Sequence, residues 1–151
     1  MLLVQPPTLS GFGLQGFMLF EPIGLEMVAA GLMPQHEVRL LDMRLEPGLR
    51  QELVNFKPDA VGVPASFTSD VYNTYQVLDI VREHDRRIFT FVGGVHATML
   101  PSDFRDKADA VVMGEGEVGA PELLHCWEDG RPMDKRQWSR FSPRRGMDSD
   151  A

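Results

Sequence analysis

The sequence has only one cysteine, Cys126, among its 151 residues. A single cysteine excludes a disulfide within the chain and a metal site made of several cysteines, and it favours a reducing, cytoplasmic setting. The chain also lacks a run of about 18 apolar residues, the length that a membrane-spanning helix needs. No basic segment precedes the first apolar residues, so we expect no signal peptide.

Basic residues are fewer than acidic ones, 15 against 22, and the formal net charge is −7. Nucleic-acid phosphates attract basic surfaces, so this balance argues against a nucleic-acid partner. Apolar residues make up 43% of the chain and charged residues 25%, which is ordinary for a soluble globular protein. We therefore expect one domain with its own core.

Apolar segments alternate with stretches of helical spacing up to about residue 130. Strands are expected at residues 2–5, 37–42, 59–64, 87–92 and 109–113. Helices are expected at residues 22–31, 49–56, 70–81 and 121–128, with a helical turn at residues 101–107. Asp70 is the expected N-cap of the third helix. This alternation predicts an α/β, flavodoxin-like (Rossmann-like) doubly wound fold with a five-stranded parallel sheet in the order 2-1-3-4-5.

Two neighbouring strands of this sheet end in glycine-rich turns. Residues 93–96 (GGVH) follow the fourth strand, and residues 114–117 (GEGE) follow the fifth. Glycine permits positive φ and a close approach of the backbone to a ligand. Because open α/β sheets bind ligands beyond the carboxyl ends of their strands, these turns indicate a ligand site.

Five stretches, in this order, have the pattern of a known family. They are residues 20–29 (FEPIGLEMVA), 37–42 (EVRLLD), 58–62 (PDAVG), 92–98 (VGGVHAT) and 114–117 (GEGE). Together they resemble the N-terminal cobalamin (B12)-binding domain of cobalamin-dependent radical SAM proteins, and the first resembles the hopanoid C-3 methylase branch in particular. The resemblance spans residues 1 to about 130.

The resemblance implies that cobalamin binds across the carboxyl edge of the sheet. It implies cofactor contacts from the loops after strands three, four and five, at Ser66, Thr68, Ser69, Gly93, Gly94, Val95, His96, Gly114, Glu115 and Gly116. It implies no catalytic residue and no metal ligand in this chain. Glu115 and Glu117 are expected to cap the last helix and to favour its dipole.

The chain departs from related patterns in two places. The mutase and methionine-synthase type of cobalamin domain has Asp-x-His-x-x-Gly after strand one, and its histidine ligates cobalt. Residues 5–11 (QPPTLSG) contain no histidine, so the resemblance implies cobalamin without a protein histidine on its lower face. The Cys-x3-Cys-x2-Cys motif that holds a 4Fe-4S cluster and positions SAM is also missing, so the radical SAM catalytic domain would lie in the full-length protein or in a separate chain.

The remaining segments are less distinctive. Residues 131–151 are polar and predict a tail or linker after a cobalamin-binding domain of residues 1–130. Residues 8–20, which include Phe12, Phe17 and Phe20, are expected to cover the corrin, to pack on a catalytic domain or to join the core in part.

The sequence thus predicts a module that presents (methyl)cobalamin to a radical SAM methyltransferase domain, with no catalytic machinery of its own. One alternative is a degenerate flavodoxin-like interaction domain without a cofactor. A response regulator is disfavoured, because it needs a phospho-acceptor aspartate after strand three, where residues 63–64 are Val-Pro.

Overall fold

A computed structural model of the chain describes residues 1–8, 21–46 and 48–131. Within these residues, five strands form one parallel sheet in the order β2-β1-β3-β4-β5. The strands are β1 (Leu2–Gln5), β2 (Arg39–Asp42), β3 (Ala60–Pro64), β4 (Phe89–Gly93) and β5 (Ala110–Val111). The predicted flavodoxin-like fold and its strand order are confirmed.

Helices follow the strands in the alternation that the sequence predicts. They are α1 (Ile23–Leu32), α2 (Leu49–Phe56), α3 (Val71–His84), α4 (Val95–Met99) and α5 (Gly116–Glu128). Short 3-10 turns precede α3 (Thr68–Asp70) and follow α4 (Pro101–Phe104). Among the described residues, no helix has the length and apolar character that crossing a membrane requires.

Both faces of the sheet are covered, because successive side chains of a strand point to opposite sides. Leu2 and Val4 of β1 belong to one core cluster, together with Leu53 of α2 and Val81 of α3. Leu3 belongs to the opposite cluster, to which α1 and α5 contribute. Strands buried on both faces have continuous apolar sequences, which is why the strands were recognisable from the sequence.

Several element ends differ from the sequence prediction. β2 begins at Arg39 instead of residue 37, and β5 has two residues where residues 109–113 were predicted. The last helix begins at Gly116 and not at residue 121, so that Pro121 lies inside α5. Glycine and proline are poor helix formers, so the sequence pattern did not reveal the first turns of this helix.

The starts of two other helices differ in detail from expectation. Asp70 stands at the N-cap of α3, but its side chain makes no capping hydrogen bond. In α1, Ile23 and Met27 are 61% and 49% exposed, whereas Leu25 and Leu32 are buried. Because α1 is apolar on most sides, residue spacing alone does not indicate which face packs against the sheet.

α1 and α5 pack closely through Gly31. A β-carbon at this position would lie 2.7 Å from the carbonyl oxygen of Glu117 and 3.5 Å from Cγ of Pro121. The nearer atom belongs to a helix backbone, so it moves only if the two helices separate. The distance between these helices therefore depends on glycine at this position.

We expect Gly31→Ala to lower the free energy of unfolding by about 1–3 kcal/mol, because it overpacks the contact between the two helices. Gly24→Ala in the same helix is the control, since a β-carbon there meets nothing within 4 Å. Helix propensity should then raise stability by up to about 1 kcal/mol. Denaturant titration measures both variants, and similar effects of the two substitutions would contradict the packing role of Gly31.

Candidate functional site

A cavity of about 310 Å³, which we name the edge cavity, opens at the carboxyl edge of the sheet between α1 and α5. Leu25 and Val28 of α1 form one wall, and Gly116 and Ala120 of α5 form the opposite wall. The turns after β3, β4 and β5 border its mouth. The cavity thus lies at the edge where glycine-rich turns indicated a ligand site.

The floor of the edge cavity is apolar. Leu3, Phe91 and Val112 line it, with Gly62 of β3 between them. A β-carbon at residue 62 would lie 2.4 Å from Cζ of Phe91 and 2.8 Å from Cδ2 of Leu3. Glycine at this position therefore lets the two side chains meet across β3.

The rim of the edge cavity is polar. Gln5 at the end of β1, Ser66 after β3 and the carboxylates of Glu115 and Glu117 border it. Glu115 is the N-cap residue of α5, but its side chain makes no capping hydrogen bond. The rim thus offers an amide, a hydroxyl and two acidic groups around an apolar floor.

Backbone hydrogen bonds join the turns after β3 and β4. The Ala65 N–H donates to the Gly93 carbonyl at 2.7 Å, and the His96 N–H donates to the Ala65 carbonyl at 3.0 Å. Gly94 lies between these bonds with φ of +104°, and a β-carbon there would be 2.8 Å from the Ala65 oxygen. The two turns pass so close to each other that only glycine fits at residue 94.

The His96 side chain is buried behind these turns, with 5% of the residue exposed. Its Nδ1 lies 3.1 Å from Oγ1 of Thr68, and its Nε2 lies 3.0 Å from Oδ2 of Asp103. The Tyr75 hydroxyl donates to the Asp103 carbonyl at 3.1 Å, and burial, followed by the Asp103 charge, raises the pKa of Tyr75. His96 thus connects the loop after β3 to the 3-10 turn after α4, and its ring does not line the edge cavity.

An ion pair lies at the end of β2. Arg44 donates to the two carboxylate oxygens of Asp42 at 2.8 Å and 2.6 Å. These hydrogen bonds lower the pKa of Asp42 from its usual value. Within the described part of the chain, no group of three or more His, Cys, Asp or Glu residues is placed to hold a metal ion.

The edge cavity brings together most of the residues predicted to bind a cofactor. Those that line it are Ser66, Gly93, Gly94, Val95, Gly114, Glu115 and Gly116. Thr68, Ser69 and His96 do not line it. Residues 9–20 and 132–151, predicted as a cover or core segment and as a tail, lie outside the described residues.

Sequence reasoning missed two contributions to this site. It assigned no residue of β1 or α1, although Gln5, Leu25 and Val28 line the cavity. It also overlooked Thr98, whose hydroxyl donates to the Gly94 carbonyl at 2.9 Å and accepts from the Gly114 N–H at 3.0 Å. Thr98 does fall within residues 92–98, one of the stretches that carried the resemblance.

Residues 18–124 match the B12 binding domain family. The chain is 36% identical over 118 residues to the hopanoid C-3 methylase of Methylococcus capsulatus, covering 72% of this chain and 22% of that protein. It is 33% identical over 144 residues to an uncharacterized methyltransferase of Pyrococcus horikoshii, covering 87% of this chain and 30% of that protein. The chain thus spans less than a third of the length of either relative.

A solved structure shares the fold. The cobalamin-dependent S-adenosylmethionine radical enzyme OxsB, with aqua-cobalamin bound, superposes with a TM-score of 0.68 over 87% of this chain and 19% of that chain, at 17% identity. The family match confirms the resemblance seen in the sequence and, with it, cobalamin as the cofactor type. This chain belongs to the B12-binding domain family.

Proposed function

We propose that this chain holds cobalamin at the edge cavity and presents it to a radical SAM methyltransferase domain. The observation that carries this proposal is the cavity itself. It has an apolar floor and a polar rim, and it opens between the Gly93-Gly94 turn and the start of α5. Open α/β sheets bind ligands at the carboxyl edge, so a cavity at this edge of a B12-binding domain could enclose one part of the cofactor.

The nucleotide tail of cobalamin fits the chemistry of the edge cavity. The tail ends in a flat, largely apolar two-ring base attached to a ribose and a phosphate. The base would lie on the floor, against Leu3, Phe91 and Val112, and the cavity volume of about 310 Å³ is at the lower end of the range for small-molecule sites. Ser66 and Gln5 would provide hydrogen bonds at the rim, on the side away from the Glu115 and Glu117 carboxylates.

The corrin ring would lie over the edge of the sheet, outside the cavity. Phe67 after β3 and Val95 and Met99 after β4 are exposed there, at 60%, 68% and 73%. Exposed apolar side chains that lie together mark binding surfaces, and a corrin is a large, partly apolar ring. These side chains would therefore support its lower face.

Cobalamin would bind without a protein histidine on cobalt. Among the described residues, no histidine lines the edge cavity, and the ring nitrogens of His96 already face Thr68 and Asp103. Enclosing the nucleotide base in the cavity also removes that base from cobalt. The bound cofactor should therefore be base-off.

Methyl transfer would need a further domain. Both curated relatives are named as a methylase or a methyltransferase, and most of their length has no counterpart in this chain. The single cysteine cannot hold an iron–sulfur cluster of the radical SAM type. A catalytic domain in the same full-length protein or in another chain would take the methyl group from the cofactor held here.

Titration of the purified chain with hydroxocobalamin should show saturable binding, a base-off visible spectrum and a rise in Tm that follows ligand concentration. Cobinamide, which lacks the nucleotide tail, is the matched ligand, and it should bind more weakly. A folded chain that binds neither ligand would contradict the proposal and leave the cofactor-free interaction domain. Equal affinity for the two ligands would contradict the role of the edge cavity.

A further inference from the structure

Thr98 joins the two glycine turns that border the edge cavity. Its hydroxyl donates to the carbonyl of Gly94 at 2.9 Å and accepts from the N–H of Gly114 at 3.0 Å. Both glycines have positive φ, +104° and +81°, a conformation that other residues rarely adopt. One hydroxyl group thus holds two unusual turns that come from different strands.

This link lies where the sheet itself no longer connects the two segments. β4 and β5 pair only at Phe91 with Ala110 and at Val92 with Val111, and the Val112 N–H then donates to the Val92 carbonyl at 2.8 Å. In the described residues, the next hydrogen bond toward the cavity between these segments is the one from Gly114 to Thr98. The two turns therefore depend on a side chain to stay together.

The start of α5 follows directly from this link. Residues 114–117 line the edge cavity, and Gly114 is the member of this group that Thr98 holds. Gly94, whose carbonyl accepts the other hydrogen bond of the Thr98 hydroxyl, lines the cavity together with Gly93. A change in the Thr98 hydrogen bonds would therefore alter the spacing of the two turns that border the mouth of the cavity.

We propose that Thr98 is a positioning residue that sets the width of the edge cavity and so favours cobalamin over ligands without a nucleotide tail. This rests on the proposed function, because the tail is what the cavity would enclose. Thr98 does not line the cavity, so it acts through Gly94 and Gly114.

The opposite edge of the sheet supplies a matched control. The Thr90 hydroxyl donates to Oδ2 of Asp109 at 2.9 Å and accepts from the Asp109 N–H at 3.2 Å. It thus joins β4 to the start of β5 with the same donor and acceptor chemistry. Thr90 is 3% exposed and does not line the edge cavity, so Thr90→Val removes a buried hydroxyl with the same two kinds of hydrogen bond away from the site. The backbone N–H and carbonyl of Thr90 keep their own hydrogen bonds to Asp109.

The test compares the affinities of the unsubstituted chain, Thr98→Val, Thr98→Ser and Thr90→Val for hydroxocobalamin and cobinamide. We expect Thr98→Val to weaken hydroxocobalamin binding about tenfold. Cobinamide binding should change less than about twofold, because cobinamide lacks the nucleotide tail that would enter the cavity. Thr98→Ser should restore the preference, and Thr90→Val should keep it. An unchanged preference in Thr98→Val, or an equal loss for both ligands, would overturn the proposal.

Hydrogen exchange of the ligand-free protein gives an independent readout. Thr98→Val should speed exchange of the amides in residues 114–117, and Thr90→Val should not, because local opening follows the lost link. If the unsubstituted chain binds neither ligand, the proposed function fails, and the exchange rates still decide whether Thr98 positions these turns. Unchanged exchange in Thr98→Val would overturn that role. Should the valine variant not fold, comparing Thr98→Ala with Thr98→Ser answers the same question.

Discussion

Replacing Gly94 with alanine is expected to lower the free energy of unfolding by about 2–5 kcal/mol, which combines backbone strain with overpacking. The residue has φ of +104°, and its new β-carbon would lie 2.8 Å from the Ala65 oxygen. That oxygen accepts the His96 N–H, and the Ala65 N–H donates to Gly93. The displacement would therefore disturb the turns after β3 and β4 together. Denaturant titration followed by circular dichroism measures the loss, and cobalamin titration should show weaker binding.

Gly130→Ala separates the two causes of this loss. Gly130 also has positive φ, +63°, but a β-carbon there meets nothing within 4 Å. Its substitution should cost only the conformational preference, about 1–2 kcal/mol. If both alanine variants lost the same stability, the close contact between Gly94 and Ala65 would have no energetic consequence.

Patterns within single segments made the sheet predictable. Apart from β2, which carries Arg39 and Asp42, the strands are short and largely apolar, and helical spacing separates all five. Their number follows from this pattern, and the right-handed crossover rule limits the orders that they can take. The glycine turns at residues 93–94 and 114–116 were predictable for the same reason, because the first begins at the last residue of β4 and the second begins three residues after the end of β5. Their position at one edge of the sheet follows from parallel pairing alone.

Contacts between distant segments were not predictable in this way. α1 closes the cavity through Leu25 and Val28, yet its exposed and buried sides are both apolar in sequence. Thr98 was assigned no role from the sequence, and His96 was predicted to contact the cofactor. Their hydrogen bonds reach 16 residues ahead to Gly114 and 28 residues back to Thr68, and no local pattern reveals such partners.

Gly93→Val is expected to leave the fold intact and to weaken cobalamin binding about 10- to 100-fold, since added volume must overpack the bound tail. A β-carbon at Gly93 meets only the carbonyl oxygen and Cβ of Val112, at 3.6 Å and 3.8 Å. These are ordinary van der Waals distances, and valine is favoured in strands. Gly93 nevertheless lines the edge cavity, so a valine side chain there would occupy the space that we propose for the nucleotide base. Gly93→Ala should have a smaller effect in the same direction.

The two adjacent glycines should therefore give opposite results. Alanine at residue 94 strains a backbone contact, so its main effect is a loss of stability. Valine at residue 93 fills cavity space without a close backbone contact, so its main effect is a loss of affinity. Tm of the ligand-free variants and the Kd for hydroxocobalamin, measured on the same preparations, distinguish the two effects. Cobinamide binding should be nearly unchanged in Gly93→Val, because that ligand places nothing in the cavity. A folded Gly93→Val protein that binds hydroxocobalamin as tightly as the unsubstituted chain would show that the tail lies elsewhere.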